Sequence, residues 1–133
     1  MSDHPVDRWH GILERRDLQG LRELLAADAV FFSPIVHRAQ SGRELTLRYL
    51  TAAFGVFFND SFHYVRQIIG PQDAMLEFEV TIDDTLVNGA DIIRWNARGE
   101  IAEFKVMVRP LKAIHLIHER MAAALQAHGQ EAT

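Results

Sequence analysis

A carboxylic acid set among apolar residues in mid-strand is a candidate for chemistry, and Asp91 in Gly89-Ala90-Asp91-Ile92-Ile93 is such a residue. If it faces a pocket, desolvation raises its pKa and keeps it neutral near pH 7. A neutral acid donates to a carbonyl oxygen or protonates a leaving group. If it faces outward, it pairs with Arg94 or a backbone amide, and its role is structural.

Acid–base work also needs a proton acceptor. His37 lies in the Ile35 to Gln40 loop, and His63 and Tyr64 open the first long strand. Any of the three could supply the base; histidine is the natural proton carrier at this pH, so His37 and His63 lead, although most of the seven histidines should be solvated or structural. His115 and His118 stand three apart on the last helix, beside Glu119. Such a pair can ligate a metal, but H-x-x-H-E is not a zincin pattern and no further ligand set is evident. No metal and no cofactor is expected. Glu77, Glu79, Arg94, Lys105 and Arg109 alternate with apolar residues on neighbouring strands. They could be paired carboxylates for catalysis; cross-strand ion pairs on an outer face are the simpler expectation.

The elements that must position these groups follow from periodicity. Asp3-His4-Pro5 starts a helix whose face is Val6, Trp9, Ile12 and Leu13. Asp17 caps a second, with Leu18, Leu21, Leu24 and Leu25 as its stripe. Ala29 to Ser33 reads as a short strand ended by Pro34. Ser41 and Glu44 have capping-box spacing before a third helix that turns Leu47, Leu50, Phe54, Phe57 and Phe58 inward.

The period then changes to two. Phe62 to Ile69, Met75 to Ile82, Leu86 to Trp95 and Ile101 to Arg109 read as strands joined by hairpin turns. In Met75 to Asp83, Leu76, Phe78, Val80 and Ile82 share one face and Glu77, Glu79, Thr81 and Asp83 the other. One face of the sheet is therefore buried and the other polar. Pro110 opens a last helix with the stripe Leu111, Ile114, Ile117, Met121 and Leu125. The order gives an α+β chain, read as one domain over 1–133 with a loose tail at 127–133.

Composition removes several function classes. The 133 residues are nearly half apolar, enough for a core without staples. With no cysteine there is no disulfide scaffold, thiolate catalysis or Cys-based zinc site, which suits a reducing cytoplasm. Net charge is −4 and Lys and Arg do not cluster, so no nucleic-acid partner is expected. Met1 to His10 has no apolar run of the kind a signal peptide carries, and no stretch approaches the roughly 20 apolar residues of a membrane span, so no membrane partner is expected either.

Several stretches resemble the ketosteroid isomerase and nuclear transport factor 2 group. Asp17-Leu18-Gln19-Gly20-Leu21 through Leu25-Ala26-Ala27-Asp28-Ala29-Val30 is similar to its D-L-x-G-[IL]…L-[FL]-A-x-D-A pattern. Ser41-Gly42 matches the S-G before the third helix. Asp91-Ile92-Ile93-Arg94-Trp95-Asn96 with Gly99-Glu100-Ile101 resembles the D-x-[FM]-R-F-N…G-[KR]-[IV] hairpin. The helix after Pro110 is similar to that of SnoaL-like and epoxide hydrolase relatives. The resemblance implies a cone-shaped α+β barrel: three N-terminal helices packed in a strongly curved mixed sheet around an apolar pocket, plus a C-terminal helix. It also implies a homodimer through the convex sheet face, where Val65 and Met107 fall.

The isomerases use a tyrosine and a protonated aspartic acid as an oxyanion hole, plus an aspartate base. By this resemblance Asp91 keeps the oxyanion acid, Trp9 replaces the tyrosine, and Ser33 replaces the base. A serine hydroxyl moves no proton at neutral pH without an activating partner. The Arg and Asp positions of limonene epoxide hydrolases are Val80, Ile82 and Val106 here. Neither reaction is expected in its usual form.

Trp9, Phe54, Phe58, Leu76, Phe78, Val80, Ile93, Phe104, Val106 and Val108 are then core or pocket wall, with Asp91, Ser33, Trp9 and Tyr49 as the polar groups that converge there. The expected ligand is a small hydrophobic, oxygenated molecule. Three readings stay open: an isomerase- or cyclase-like enzyme, a non-catalytic binding protein, and a dimeric interaction module.

Overall fold

A computed structural model describes residues 3–127 of the chain. The order is α1 (Pro5–Arg15), α2 (Leu18–Leu24), β1 (Leu25–Phe32), β2 (Gln40–Ser41), α3 (Arg43–Phe57), β3 (His63–Ile69), β4 (Asp73–Ile82), β5 (Thr85–Trp95), β6 (Ile101–Arg109) and α4 (Leu111–Ala127). Of the tail 127–133, read above as loose, Ala127 ends α4 and the rest lies outside the described residues.

The helices start where their caps predict. His4 Nδ1 accepts from the Val6 amide at 3.1 Å, and Asp17 Oδ1 accepts from Gly20 N at 2.9 Å. The capping box does not form. Ser41 is drawn into β2, opposite Val30, so its backbone is committed to the sheet and Gly42 becomes the N-cap, with φ of 104°. Glu44 instead pairs with Arg22 at 2.7 Å.

The first strand begins earlier than its sequence pattern suggests. Leu25 leaves the helical stripe because it pairs with Ile101 of β6, and this parallel pairing continues to Phe32 after a bulge. The buried residues Leu25, Ala26 and Ala29 do not alternate, and their i, i+1, i+4 spacing hides this strand because it fits a helix as well. In α4 the buried face is Ala113, Ile117 and Leu125, while Leu111 is 68 % exposed.

The six strands lie in the order β2-β1-β6-β5-β4-β3, antiparallel except for β1 with β6. The sheet is mixed and not closed, and it fits the expected cone. Asp83 and Asp84, both at positive φ, make the two-residue turn between β4 and β5. That conformation matches the right-handed twist of the flanking strands. Leu76, Phe78, Val80 and Ile82 point inward, as their alternation requires.

The core lies between this inner face and the helices: Trp9 and Ile12 from α1, Leu21 and Leu24 from α2, Leu50, Phe54 and Phe57 from α3, and Ile117 from α4. Helix α4 packs on α3 and the β5–β6 side of the sheet, and Arg120 pairs with Asp83 in the hairpin turn. The outer face carries Arg66–Glu77 and Arg94–Glu103 ion pairs, at 3.5 and 3.0 Å. Lys105 there lies over the Phe32 ring at 5.0 Å.

Candidate functional site

Asp91 points inward. It is 7 % exposed, directly opposite Leu76 of β4 and Val106 of β6. Arg94, three residues on, faces outward to Glu103, so the outer-surface alternative for Asp91 is excluded. Alternation alone separates the two residues: odd and even positions of a strand face opposite sides.

The carboxyl has one partner among the described residues. Tyr64 donates its hydroxyl proton to Asp91 Oδ2 at 2.7 Å, and Trp9 Nε1–H donates to the Tyr64 oxygen at 2.9 Å. The chain of donors runs from α1 through β3 to β5. Burial is the largest influence on Asp91 and raises its pKa from 3.8 to about 7; the Tyr64 hydrogen bond acts the other way. Burial, and then the charge of Asp91, push the Tyr64 phenol well above its ordinary value, so Tyr64 stays protonated and serves as a donor. Near neutral pH both protonation states of Asp91 are therefore accessible.

Asp91 Oδ1 has no partner among the described residues and is not sealed from space. Asp91 lines an inner cavity of about 30 Å³, together with Trp9, Phe54, Phe58, Phe78, Phe104 and Val106. Ala53, Phe57, Leu50 and Phe62 complete it. This volume admits about two waters, or the oxygen-bearing end of a ligand. Among the described residues no second titratable side chain lines it.

A neighbouring outer cavity of about 90 Å³ lies under α4. Phe31, Ser33–Val36, Tyr49, Ile117, His118, Met121, Ala122 and Leu125 line it, and it shares Ala53, Phe57 and Val106 with the inner one. Those three side chains form the partition between the two spaces.

The positions expected from sequence separate accordingly. Trp9, Phe54, Phe58, Phe78, Phe104 and Val106 border the inner cavity, and Ser33, Tyr49 and again Val106 the outer one. Leu76, Val80 and Ile93 are buried in the core and Val108 is half-buried; they border neither. The Trp9 N–H is engaged by Tyr64 rather than presented to a ligand. His37 is exposed, one residue beyond Val36, and borders neither space. His63 is exposed on β3, with Nδ1 at 2.9 Å from the Ser61 carbonyl oxygen and Nε2 at 3.9 Å from Glu79. Neither histidine is brought to Asp91. His118 borders the outer cavity, and among the described residues no cluster of three or more His, Asp or Glu could hold a metal.

The link from Tyr64 to Asp91 and the α4 wall were not foreseen. Phe62 and Tyr64 alternate inward, which is a signal for Tyr64. Its partner depends on sheet register, and a bulge between Tyr64 and Arg66 shifts that register.

Gly89 shapes the same wall. A Cβ there would meet the Phe78 ring and lie 2.6 Å from the Met107 carbonyl oxygen. The missing Cβ at Gly89 lets the aromatic ring approach the strand backbone at this point.

Comparisons with known proteins agree with this architecture. Residues 6–104 match the SnoaL-like domain family. No curated protein matches the sequence. A steroid delta-isomerase from Pseudomonas aeruginosa is similar in structure, with 35 % identity, a TM-score of 0.88, and coverage of 93 % of this chain and 90 % of that one. An uncharacterised protein with a cystatin-like fold from Silicibacter pomeroyi DSS-3 has 26 % identity, a TM-score of 0.86, and coverage of 94 % and 87 %. A protein with a ketosteroid isomerase-like fold from Catenulispora acidiphila DSM 44928, in complex with trimethylamine, has 16 % identity, a TM-score of 0.62, and coverage of 86 % and 91 %. No described helix is long and apolar enough to cross a membrane. With the family match spanning most of its length, the chain belongs to the SnoaL-like domain family, within the ketosteroid isomerase-like and nuclear transport factor 2-like fold group.

Proposed function

We propose that the protein takes a small hydrophobic molecule bearing a carbonyl or similar oxygen, and that Asp91 acts on that oxygen as acid or oxyanion donor. One observation carries this reading: Asp91 keeps one oxygen on Tyr64 and turns the other to an apolar cavity. In its neutral form the acid donates from Oδ1, where a low dielectric strengthens the bond. Tyr64, itself held by Trp9, fixes the carboxyl's orientation. The chemistry suited to this is an isomerisation or cyclisation begun by proton donation from neutral Asp91 to oxygen, with a water in the cavity taking up the carbon-bound proton and returning one to the far carbon, and with no cofactor. The similarity to a steroid delta-isomerase supports the reaction type.

A non-catalytic binding protein is the second reading, and Ser33 favours it. Ser33 Oγ accepts from the Ile35 and Val36 amides at 2.9 and 3.3 Å, as a turn residue does, and it meets no activating base among the described residues. The two readings part on Asp91→Asn, assayed for conversion of 3-cyclohexen-1-one to its conjugated isomer. Catalysis predicts that turnover falls at least a hundredfold while affinity is kept. A wild type without turnover, whose Asp91→Asn variant differs only in affinity, sinks the enzyme reading.

The same proposal includes a homodimer through the outer sheet face. Met75 lies beside Ile92 and Ala90 beside Met107 across the strands, and Met107 is 54 % exposed. The Arg66–Glu77 and Arg94–Glu103 pairs lie on the same face, an apolar centre with a charged surround.

A further inference from the structure

The outer cavity contains a polar group that the Asp91 site does not use. Tyr49, on α3, is only 8 % exposed, and its ring stacks on Phe31 at 5.5 Å. Its hydroxyl meets no hydrogen-bond partner among the described residues, yet it is not sealed in: the side chain borders the outer cavity. A phenol oxygen held in apolar surroundings loses the free energy of its bond to water unless something in the space replaces it.

Ser33 borders the same space. Its oxygen is occupied by the Ile35 and Val36 amides, which leaves the hydroxyl proton as a donor with no acceptor in the described chain. The other walls near these hydroxyls are apolar, among them Val36, Phe57, Val106 and Ile117. Among the described residues no Lys, Arg, Asp or Glu borders the cavity, and His118 is an exposed residue at its edge. That chemistry suits a neutral oxygen and disfavours a phosphate, carboxylate or ammonium.

We propose that Tyr49 and Ser33 form a second oxygen-recognition point under α4, for a hydroxyl or carbonyl on an otherwise apolar ligand. The pocket is then bipolar. One oxygen is met at Asp91 and another at Tyr49 and Ser33, with the hydrocarbon body passing the partition of Ala53, Phe57 and Val106. The ligand class narrows from one oxygen function to two, at opposite ends. The Tyr49 half of this proposal stands without the proposed chemistry at Asp91; only the two-ended ligand rests on both.

The test uses two probes of equal shape, 4-cyclohexylcyclohexanone with one carbonyl and bicyclohexyl-4,4′-dione with one at each end, titrated into the full chain by calorimetry. The wild type should bind the dione about tenfold more tightly, the worth of one neutral hydrogen bond. Tyr49→Phe should reduce that ratio to about one, and Ser33→Ala should lower it in part. Asp91→Asn, whose amide keeps a donor at that end, should leave both affinities and their ratio unchanged. If the wild type turns over no 3-cyclohexen-1-one, or Asp91→Asn keeps the turnover, while Tyr49→Phe still removes the ratio, the Asp91 reading fails and this one stands. A dione that does not bind the wild type, or a ratio unchanged by Tyr49→Phe in a variant with wild-type circular dichroism, overturns the proposal. As a second measurement, the 13Cζ resonance of labelled Tyr49 should shift on addition of the dione, and no shift at saturation also overturns it.

Discussion

Tyr64 and Asp91 meet at 2.7 Å although strand β4 lies between their own strands in the sheet. The tyrosine reaches diagonally over the inner face, from a position opposite Phe78 to one opposite Leu76. The contact sets the charge state of the acid: the phenol proton favours the carboxylate, and burial opposes it more strongly. Wild-type Asp91 should therefore titrate near pH 7 in carboxyl 13C NMR, and Tyr64→Phe should move the midpoint higher. A midpoint near 4 in the wild type would remove the basis for an acid at neutral pH.

The same shift makes stability depend on pH. The Asp91 carboxyl takes up its proton at about pH 7 when folded, against an ordinary value of 3.8. Between these values the folded chain holds a proton that the unfolded chain has lost, so stability falls as pH rises through the window and levels off above it. The full span corresponds to about 4 kcal/mol at most. Asp91→Asn has no charge to bury, and its side-chain carbonyl still accepts from Tyr64. It should melt higher than the wild type at pH 8, with the difference fading toward pH 4. Parallel melting curves across that range would contradict the buried carboxylate.

Trp9→Phe should act at a distance. It removes the N–H that polarises the Tyr64 hydroxyl, and so weakens that hydroxyl's bond to Asp91. It also leaves a void beside Phe104 and Phe54, whose rings lie 4.9 and 5.9 Å from the Trp9 ring. We expect a loss of about 1–3 kcal/mol in urea unfolding and a higher Asp91 midpoint. Destabilisation with no change in the midpoint would reduce Trp9 to packing alone.

Gly89→Ala should disturb the inner cavity without touching Asp91. The new methyl displaces the Phe78 ring, which stacks on Phe62 at 5.3 Å, and presses on the Met107 carbonyl. Overpacking of this kind costs about 1–3 kcal/mol. An unchanged denaturation midpoint would show that the ring swings aside freely.

Met107→Glu tests the dimer. A charge at this exposed position of the outer face should convert a dimer to monomer in sedimentation velocity, while leaving the monomer folded. A wild type that sediments as a monomer at high micromolar concentration would end the dimer proposal.

Much of the fold was legible in the sequence because its signals are local. The alternation in β4, the Asp17 cap and the two-residue Asp83-Asp84 turn each depend on a few neighbouring residues. Non-local competition undid other expectations. Ser41 has the right spacing for a capping box, but the chance to pair with Val30 takes its backbone into β2. Leu25 continues a helical stripe until β6 offers it Ile101 as a partner.

The candidate site divides in the same way. The sequence by itself determined that an acid sits on an inward-capable strand position, among enough aromatic residues to wall a pocket, with Ser33 and Trp9 in place of the expected catalytic groups. Only the tertiary structure decided which way Asp91 faces, that Tyr64 supplies its hydrogen bond, and that Phe57 and Val106 divide the space in two. The reason is physical. Side-chain type and period are properties of a short segment, whereas a hydrogen bond between β3 and β5, or a wall supplied by α4, exists only once sheet register and helix docking fix segments distant in the chain.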